Sequence, residues 1–274
     1  MKNRSSEASK ISSGDCAAIQ VCRLSKTFVR HSDGRTIVSI ECLDLIVPSG
    51  EILFIVGPTG CGKSTLLSLL SGLESPTSGE VIVAGQKPDT RHDRLSGILG
   101  TIFQQDRLLP WRTASQNVEI GLEIAGVNKT QRVELAQNWL HRLNLKGFAN
   151  SYPRELSGGM RQRVAMARTF ALEPKILLGD EVFSQLDKIT SQKLGADFHL
   201  FAREQEMTVV LVTHQLEEAI QFGDRIVVMG KQAKVLLDIP IQGVKGKGEA
   251  DALCREIEDI MRQEDIQVSR QKGN

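Results

Sequence analysis

The chain has 274 residues, too many for one minimal core and too few for several full domains, so one or two compact lobes are expected. Apolar residues make up 41% and charged residues 24%, ordinary values for a globular protein. The 34 basic and 33 acidic side chains leave a net charge of +1, so charge implies no nucleic-acid partner.

The first residues, MKNRSSEASKISSGD, lack the apolar segment of a signal peptide, and residues 1–17 are expected to be a disordered tail. The clearest apolar run near the start, Ile52–Val56, is far short of the ~20 residues of a membrane span. Any membrane role is therefore expected to be peripheral. The five cysteines (Cys16, Cys22, Cys42, Cys61 and Cys254) are scattered, odd in number and form no CxxC pair. They read as reduced thiols of a cytosolic protein.

In chain order, β-rich runs are predicted at Ala18–Cys22, Ile37–Leu43, Ile52–Val56, Glu80–Ala84, Ile98–Phe103, Ile176–Gly179, Val209–Thr213, Arg225–Met229 and Val235–Asp238. Several are apolar on both faces, as buried parallel strands are. Helical spacing appears at Lys63–Ser71, at Thr130–Leu145 with Gly147 as its C-cap, at Met160–Leu172 and at Thr190–Glu206. Strands come first, then a helical stretch over about 108–168, then strand and helix alternate. That order predicts an α/β core with a helical insertion. The main unit is expected to span 18–241. Residues 242–274 read as a charged tail with a short helix at Asp251–Glu264, to which no chemistry is attached.

Gly57–Thr65 reads GPTGCGKST and fits a phosphate-binding loop, with a strand before it and a helix after it. Gly57, Gly60 and Gly62 let the backbone turn back and aim N–H groups at phosphate oxygens, with Pro58, Thr59 and Cys61 between them. The helix that follows adds its positive dipole end. Lys63 reaches the β- and γ-phosphates, Ser64 offers a hydroxyl to Mg²⁺, and Thr65 closes the motif. Cys61 reads as a small filler residue rather than a redox sensor.

A nucleotide hydrolase also needs carboxylates beside that loop. Lys175–Glu181 is an apolar strand ending in Asp180 and Glu181. The first can hold the Mg²⁺ shell and the second can act as general base on the attacking water.

At Leu156–Arg163, LSGGMRQR, the sequence resembles the signature motif of ABC ATPases. Ser157, Gly158 and Gly159 precede a helix rich in small residues, and such an N-terminus is an anion site. A chain with one complete phosphate cradle has a second to offer another molecule. The resemblance implies two chains paired head to tail, each binding ATP and Mg²⁺ in its own loop and closing on its partner's nucleotide. It covers roughly residues 18–240. It implies the ABC-type P-loop NTPase fold, with an antiparallel β subdomain and a helical insertion subdomain.

Other family elements follow in order. Gln104 matches the glutamine that touches Mg²⁺ and relays to a membrane partner. Ser184–Asp187 matches the D-loop, and His214 the switch histidine at the γ-phosphate. Phe28 is either an aromatic that stacks on adenine or a core residue. Three positions depart from the family pattern: Gly179 for an aliphatic residue, Val182 for proline, and Gln185 for alanine.

Only about fifty residues separate Gln104 from Ser157, which excludes the long coiled-coil insert of chromosome-organising relatives. One motif set argues against fused soluble relatives, and no span argues against an exporter. An importer subunit remains, as a homodimer or paired with a second ATPase, under integral-membrane permeases. A periplasmic or extracellular solute-binding protein is implied indirectly. Phe103–Trp111, Asn117–Val118, Met160–Arg163 and Thr213–Ala219 resemble the nitrate/sulfonate/taurine branch, and other small solutes are equally compatible. Leu108, Leu109 and Trp111 either form the permease-docking groove or pack the helical lobe's own core. The competing readings are a different P-loop enzyme, such as a kinase, and an ABC protein that binds ATP without efficient hydrolysis.

Overall fold

The computed structural model describes residues 17–30, 32–88, 95, 97–184, 186–241 and 246–272, the side chains of 247 and 265–272 excepted. The expected tail at 1–17 therefore falls almost entirely outside the described residues, as do Cys16 and Gln185.

Two sheets organise the molecule. The smaller is antiparallel, ordered β2-β1-β4, from β1 (Ala17–Val29), β2 (Thr36–Pro48) and β4 (Ser78–Val83). The larger has six strands in the order β5-β6-β7-β3-β8-β9. Its members are β3 (Ile52–Val56), β5 (Leu99–Ile102), β6 (Ile176–Asp180), β7 (Thr208–Thr213), β8 (Arg225–Met229) and β9 (Val235–Pro240). All its pairings are parallel except β8 with β9. Every residue of β3 and β7 is buried, which explains their unbroken apolar sequences.

Helix α1 (Lys63–Leu70) leaves β3 and packs on β2, β4 and β6. Helices α2 (Ala114–Ile124), α3 (Lys129–Arg142) and α4 (Gly158–Phe170) pack on one another between β5 and β6 in the chain. A Thr113–Gln116 capping box starts α2, with Thr113 accepting from Gln116 N–H and Gln116 accepting from Thr113 N–H. Asn128 and Asp187 are simple N-caps of α3 and α5 (Lys188–Glu204), their side chains accepting from Gln131 N–H and Thr190 N–H. Helix α6 (Leu216–Phe222) follows β7.

Two sequence expectations need correction. Gly147 is not the C-cap of α3: the helix ends earlier, and Asn144 takes the left-handed position at φ 57°. Gly147 lies instead in a 3₁₀ turn, Lys146–Phe148. Asparagine tolerates the left-handed region well, and here the nearer residue wins. The C-terminal helix is also longer than the charge pattern predicts, running from Lys247 to Lys272 as α7. It is tied down by Ile257, which is fully buried, with Leu253 and Met261 packed beside it. No described helix is long and apolar enough to cross a membrane.

Candidate active site

The strand β3 delivers the chain into the glycine-rich loop, and two neighbours explain its glycines. A side chain at Gly57 would collide with the carbonyl oxygen of Met229 on β8. Gly62 sits at φ 119°, and a Cβ there would lie 2.7 Å from Ser39 O on β2. The loop is thus clamped between both sheets. Further ties are the 2.6 Å bond from Ala233 N–H to Cys61 O and the 2.8 Å bond from Ser39 Oγ to Thr65 Oγ1. Cys61 is buried, in keeping with its filler role, whereas Thr59 and Gly60 are exposed at the crest.

Lys63 is buried, and its Nζ donates to Gly57 O at 2.7 Å and to Pro58 O at 2.9 Å. The ammonium therefore lies over the loop, and the N–H groups of such a loop can receive phosphate oxygens. Across from it, at the tip of β6, Asp180 is hydrogen-bonded to Ser64. Burial pushes the Asp180 carboxyl up, with the Glu181 charge adding to it, while the Ser64 bond and Lys63 pull it down.

Glu181 is where distant parts of the chain meet. Its Oε2 accepts from Gln104 Nε2 at 2.9 Å, and its Oε1 lies 3.1 Å from His214 Nδ1. Gln104 follows β5, Glu181 follows β6, and His214 follows β7; these three strands are neighbours in the large sheet. Parallel strands place their C-terminal ends on one edge, which is where such sheets bind ligands. Glu181 holds φ at 49°, a backbone state that costs a non-glycine residue about 1–3 kcal/mol. Its carbonyl is pinned by Ser184, whose Oγ donates at 2.9 Å and whose N–H donates at 3.2 Å.

Two departures from the family pattern prove to be one packing unit. A Cβ on Gly179 would run into the Cγ2 of Val182 and the Cδ2 of Leu211. Val182 is buried and uses the room that glycine leaves. Its carbonyl also receives Gln162 Nε2 from α4 at 3.2 Å. Gly179→Ala should therefore cost about 1–3 kcal/mol of stability through overpacking. Val182→Ala added to it should recover part of that loss in thermal melts, and purely additive losses would contradict the shared-space account.

The second candidate anion site stands on a different part of the structure. Ser157 is exposed, and its hydroxyl accepts from Met160 N–H at 3.3 Å as the N-cap of α4. Gly158 and Gly159 supply the first-turn N–H groups, which have no partners within the helix. Helix α4 packs on α2, α3 and β5, whereas α1 packs on β2, β4 and β6. The two phosphate-type helix ends thus belong to different layers.

Phe28 lies on β1 opposite Ile37, half-buried, with Lys26 Nζ 4.8 Å from its ring centroid; it is outside the buried core. Leu108 is buried in the core, so it is not part of an exposed groove. Trp111 is 71% exposed.

Three further features escape the sequence reading. Asp106, two residues past Gln104, forms a 2.8 Å ion pair with Arg161 of the signature helix. Gln162 is fully buried in α4, and its Oε1 has no hydrogen-bond partner among the described residues. The C-terminal helix reaches the site: Glu258, Met261 and Arg262 line a cavity of about 290 Å³ together with Gly57, Pro58, Thr59 and His214. No local signal in 242–274 points to that contact, because the charged pattern of α7 looks like any solvated helix.

A glycine-clamped loop at the edge of a parallel sheet, a lysine over it and two carboxylates at the adjacent strand tip define a P-loop nucleotide hydrolase. The family model described as ABC transporter matches residues 40–184, and the chain belongs to that family. The nitrate import ATP-binding protein NrtD of Synechocystis is 37% identical over 215 residues, 78% of each chain. The taurine import ATP-binding protein TauB of Escherichia coli is 37% identical over 204 residues, 74% of this chain and 78% of that one. Among solved structures, the dimeric post-hydrolysis state of the ATP-binding cassette MJ0796, bound to ADP and Pi, superposes with a TM-score of 0.77 at 33% identity. That match covers 82% of this chain and 99% of the other. The protein is an ATP-binding, ATP-hydrolysing cassette of the ABC type.

Proposed function

We propose that the chain is the ATPase subunit of an importer for a small organic or inorganic anion, acting at the cytoplasmic face of the cell's inner membrane. The convergence of Gln104 and His214 on the single carboxylate of Glu181 carries the hydrolytic part of this reading. The import part rests on likeness to the nitrate and taurine import ATP-binding proteins.

In this reading two chains pair head to tail. Each binds ATP with the N–H groups of Gly57–Thr65 and with Lys63. The partner's Ser157, Gly158 and Gly159 meet the γ-phosphate from the opposite side and complete the site. Phe28, half-exposed near the end of β1, would stack on the adenine. The hydroxyl of Ser64 beside the Asp180 carboxylate is a hard-oxygen donor set that suits Mg²⁺, with Gln104 one residue contact away through Glu181. The ion would neutralise charge on the β- and γ-phosphates. Glu181 takes a proton from the attacking water as general base, and His214 and Gln104 hold its carboxylate in place.

Hydrolysis removes the γ-phosphate that bridges the two chains, and the dimer reopens. The segment after Gln104 links this event to the permease. Its Asp106 is tied to Arg161 on the signature helix, and it ends at the exposed Trp111. A permease helix seated on Trp111 would thus feel the movement of α4. A solute-binding protein delivers the anion to the permease on the other side of the membrane. In reconstituted vesicles, Trp111→Ala should cut ATP-driven uptake at least several-fold while leaving ATP binding and the melting temperature unchanged. Unaltered uptake would overturn this docking assignment, and loss of ATP binding would show that Trp111 serves the fold.

A further inference from the structure

One buried carboxylate near His214 has no part in the hydrolytic scheme above. Glu218, in the first turn of α6, is only 7% exposed. Its Oε1 accepts from Ser191 Oγ at 2.6 Å, and Ser191 is itself buried. It is also hydrogen-bonded to the side chain of Thr213. Burial pushes its carboxyl up, and the bonds from Ser191 and Thr213 and the nearby His214 pull it back down. A buried carboxylate costs free energy that a neutral or apolar residue would not. A helix start gains from an exposed acidic residue as well as from a buried one, so the burial of Glu218 calls for a reason.

The reason lies in what it joins. Thr213 is the last residue of β7, directly before His214, and its Oγ1 accepts from Gln215 N–H at 3.0 Å. Those two contacts define the turn that presents the imidazole. Ser191 lies one turn into α5, and its N–H donates to Asp187 O at 2.8 Å, in the segment that follows Glu181 and Ser184. Glu218 therefore ties the histidine's turn to the helix that begins where the loop of Glu181 ends. We propose that Glu218 is a positioning residue for hydrolysis, with Ser191 and Thr213 as its anchors, and that it acts by fixing His214 against Glu181. This rests on the reading of Glu181 and His214 as the hydrolytic pair.

A double-mutant cycle on the full-length protein tests it. Glu218→Leu should lower kcat about tenfold with KM for ATP within twofold, since displacement of a catalytic group costs rate rather than binding. Glu218→Gln keeps an acceptor for Ser191 and a polar partner for Thr213, and should stay within about threefold of the parent rate. In a His214→Ala background, Glu218→Leu should cause no further fall, because the route through His214 is already gone. Ser191→Ala, a smaller change that spares the core, should slow the parent about threefold and the His214→Ala protein not at all. Full additivity of either variant with His214→Ala, or a Glu218→Gln protein as slow as Glu218→Leu, would overturn the proposal. If His214→Ala itself kept the parent rate, the hydrolytic pair would fall and the positioning role with it.

Discussion

Glu181→Gln is expected to lower ATP turnover by about a hundredfold to ten-thousandfold, the usual worth of a placed general base. The amide has the same shape, so the contacts from Gln104 and toward His214 can persist in altered polarity. What is lost is the ability to take a proton from water. The carboxylate is held from both sides, at 2.9 Å and 3.1 Å, on a backbone forced to φ 49°. A side chain held this firmly is placed for a task rather than for packing. ATP binding should be unchanged, because the proposed reading assigns it to Lys63 and the loop amides. Nucleotide-bound dimers should accumulate, since the step that separates them is blocked. A phosphate-release assay within a few-fold of the parent would show that another group activates the water.

Gly158→Asp carries the second large effect, through a sign difference between folding and function. A carboxylate in the first turn of α4 is favourable to the helix, by about 0.3–1 kcal/mol from the macrodipole. The same charge would face the γ-phosphate of the partner's nucleotide and set a repulsion against the backbone donors, which all remain. Turnover should fall at least about a hundredfold, an effect of the size seen when one anion-stabilising donor is lost from an active site. Melting temperature should hold or rise, and ATP binding to the chain's own loop should remain. Mixing this variant with Lys63→Ala should then restore activity. Half of randomly paired dimers are mixed, and each has one intact site, so about a quarter of the parent rate is expected. A mixture as inactive as its parts would argue that each chain carries a whole site of its own.

The nucleotide loop is legible in the sequence because everything that builds it is local. The run Ile52–Val56, the glycines and Lys63 fall within a dozen residues, and β3 begins and ends where the apolar run does. Asp180 and Glu181 are legible as the carboxylate end of an apolar strand, whereas Gln104 and His214 are legible only by their order, through resemblance. Their meeting at Glu181 depends on β5, β6 and β7 being neighbours, and strand order is a long-range property that periodicity does not carry. Gly179 and Val182 read as two separate irregularities, because nothing in a linear sequence shows that one side chain fills the other's space. Glu218 lies within a stretch used only for its likeness to one importer branch; its burial against Ser191 needed the packing of α5 on α6. Helix α7 shows the opposite failure. Its charge pattern announces a solvated helix, yet Ile257 is fully buried and Arg262 lines the cavity beside Pro58 and Thr59. The docked face is a narrow stripe, Leu253, Ile257 and Met261, on a strongly charged helix, and such a stripe does not say what it packs against.

On the proposed reading, Gly57–Thr65 is half of a site and Ser157–Gly159 of a second chain completes it. The most direct test of this claim is the rate of ATP hydrolysis per chain, measured across a wide dilution series at saturating ATP and Mg²⁺. The rate should climb with protein concentration and level off as dimers fill, while ATP binding per chain stays constant at every dilution. A rate per chain that is independent of concentration, down to protein levels at which sizing shows only monomers, would contradict the claim.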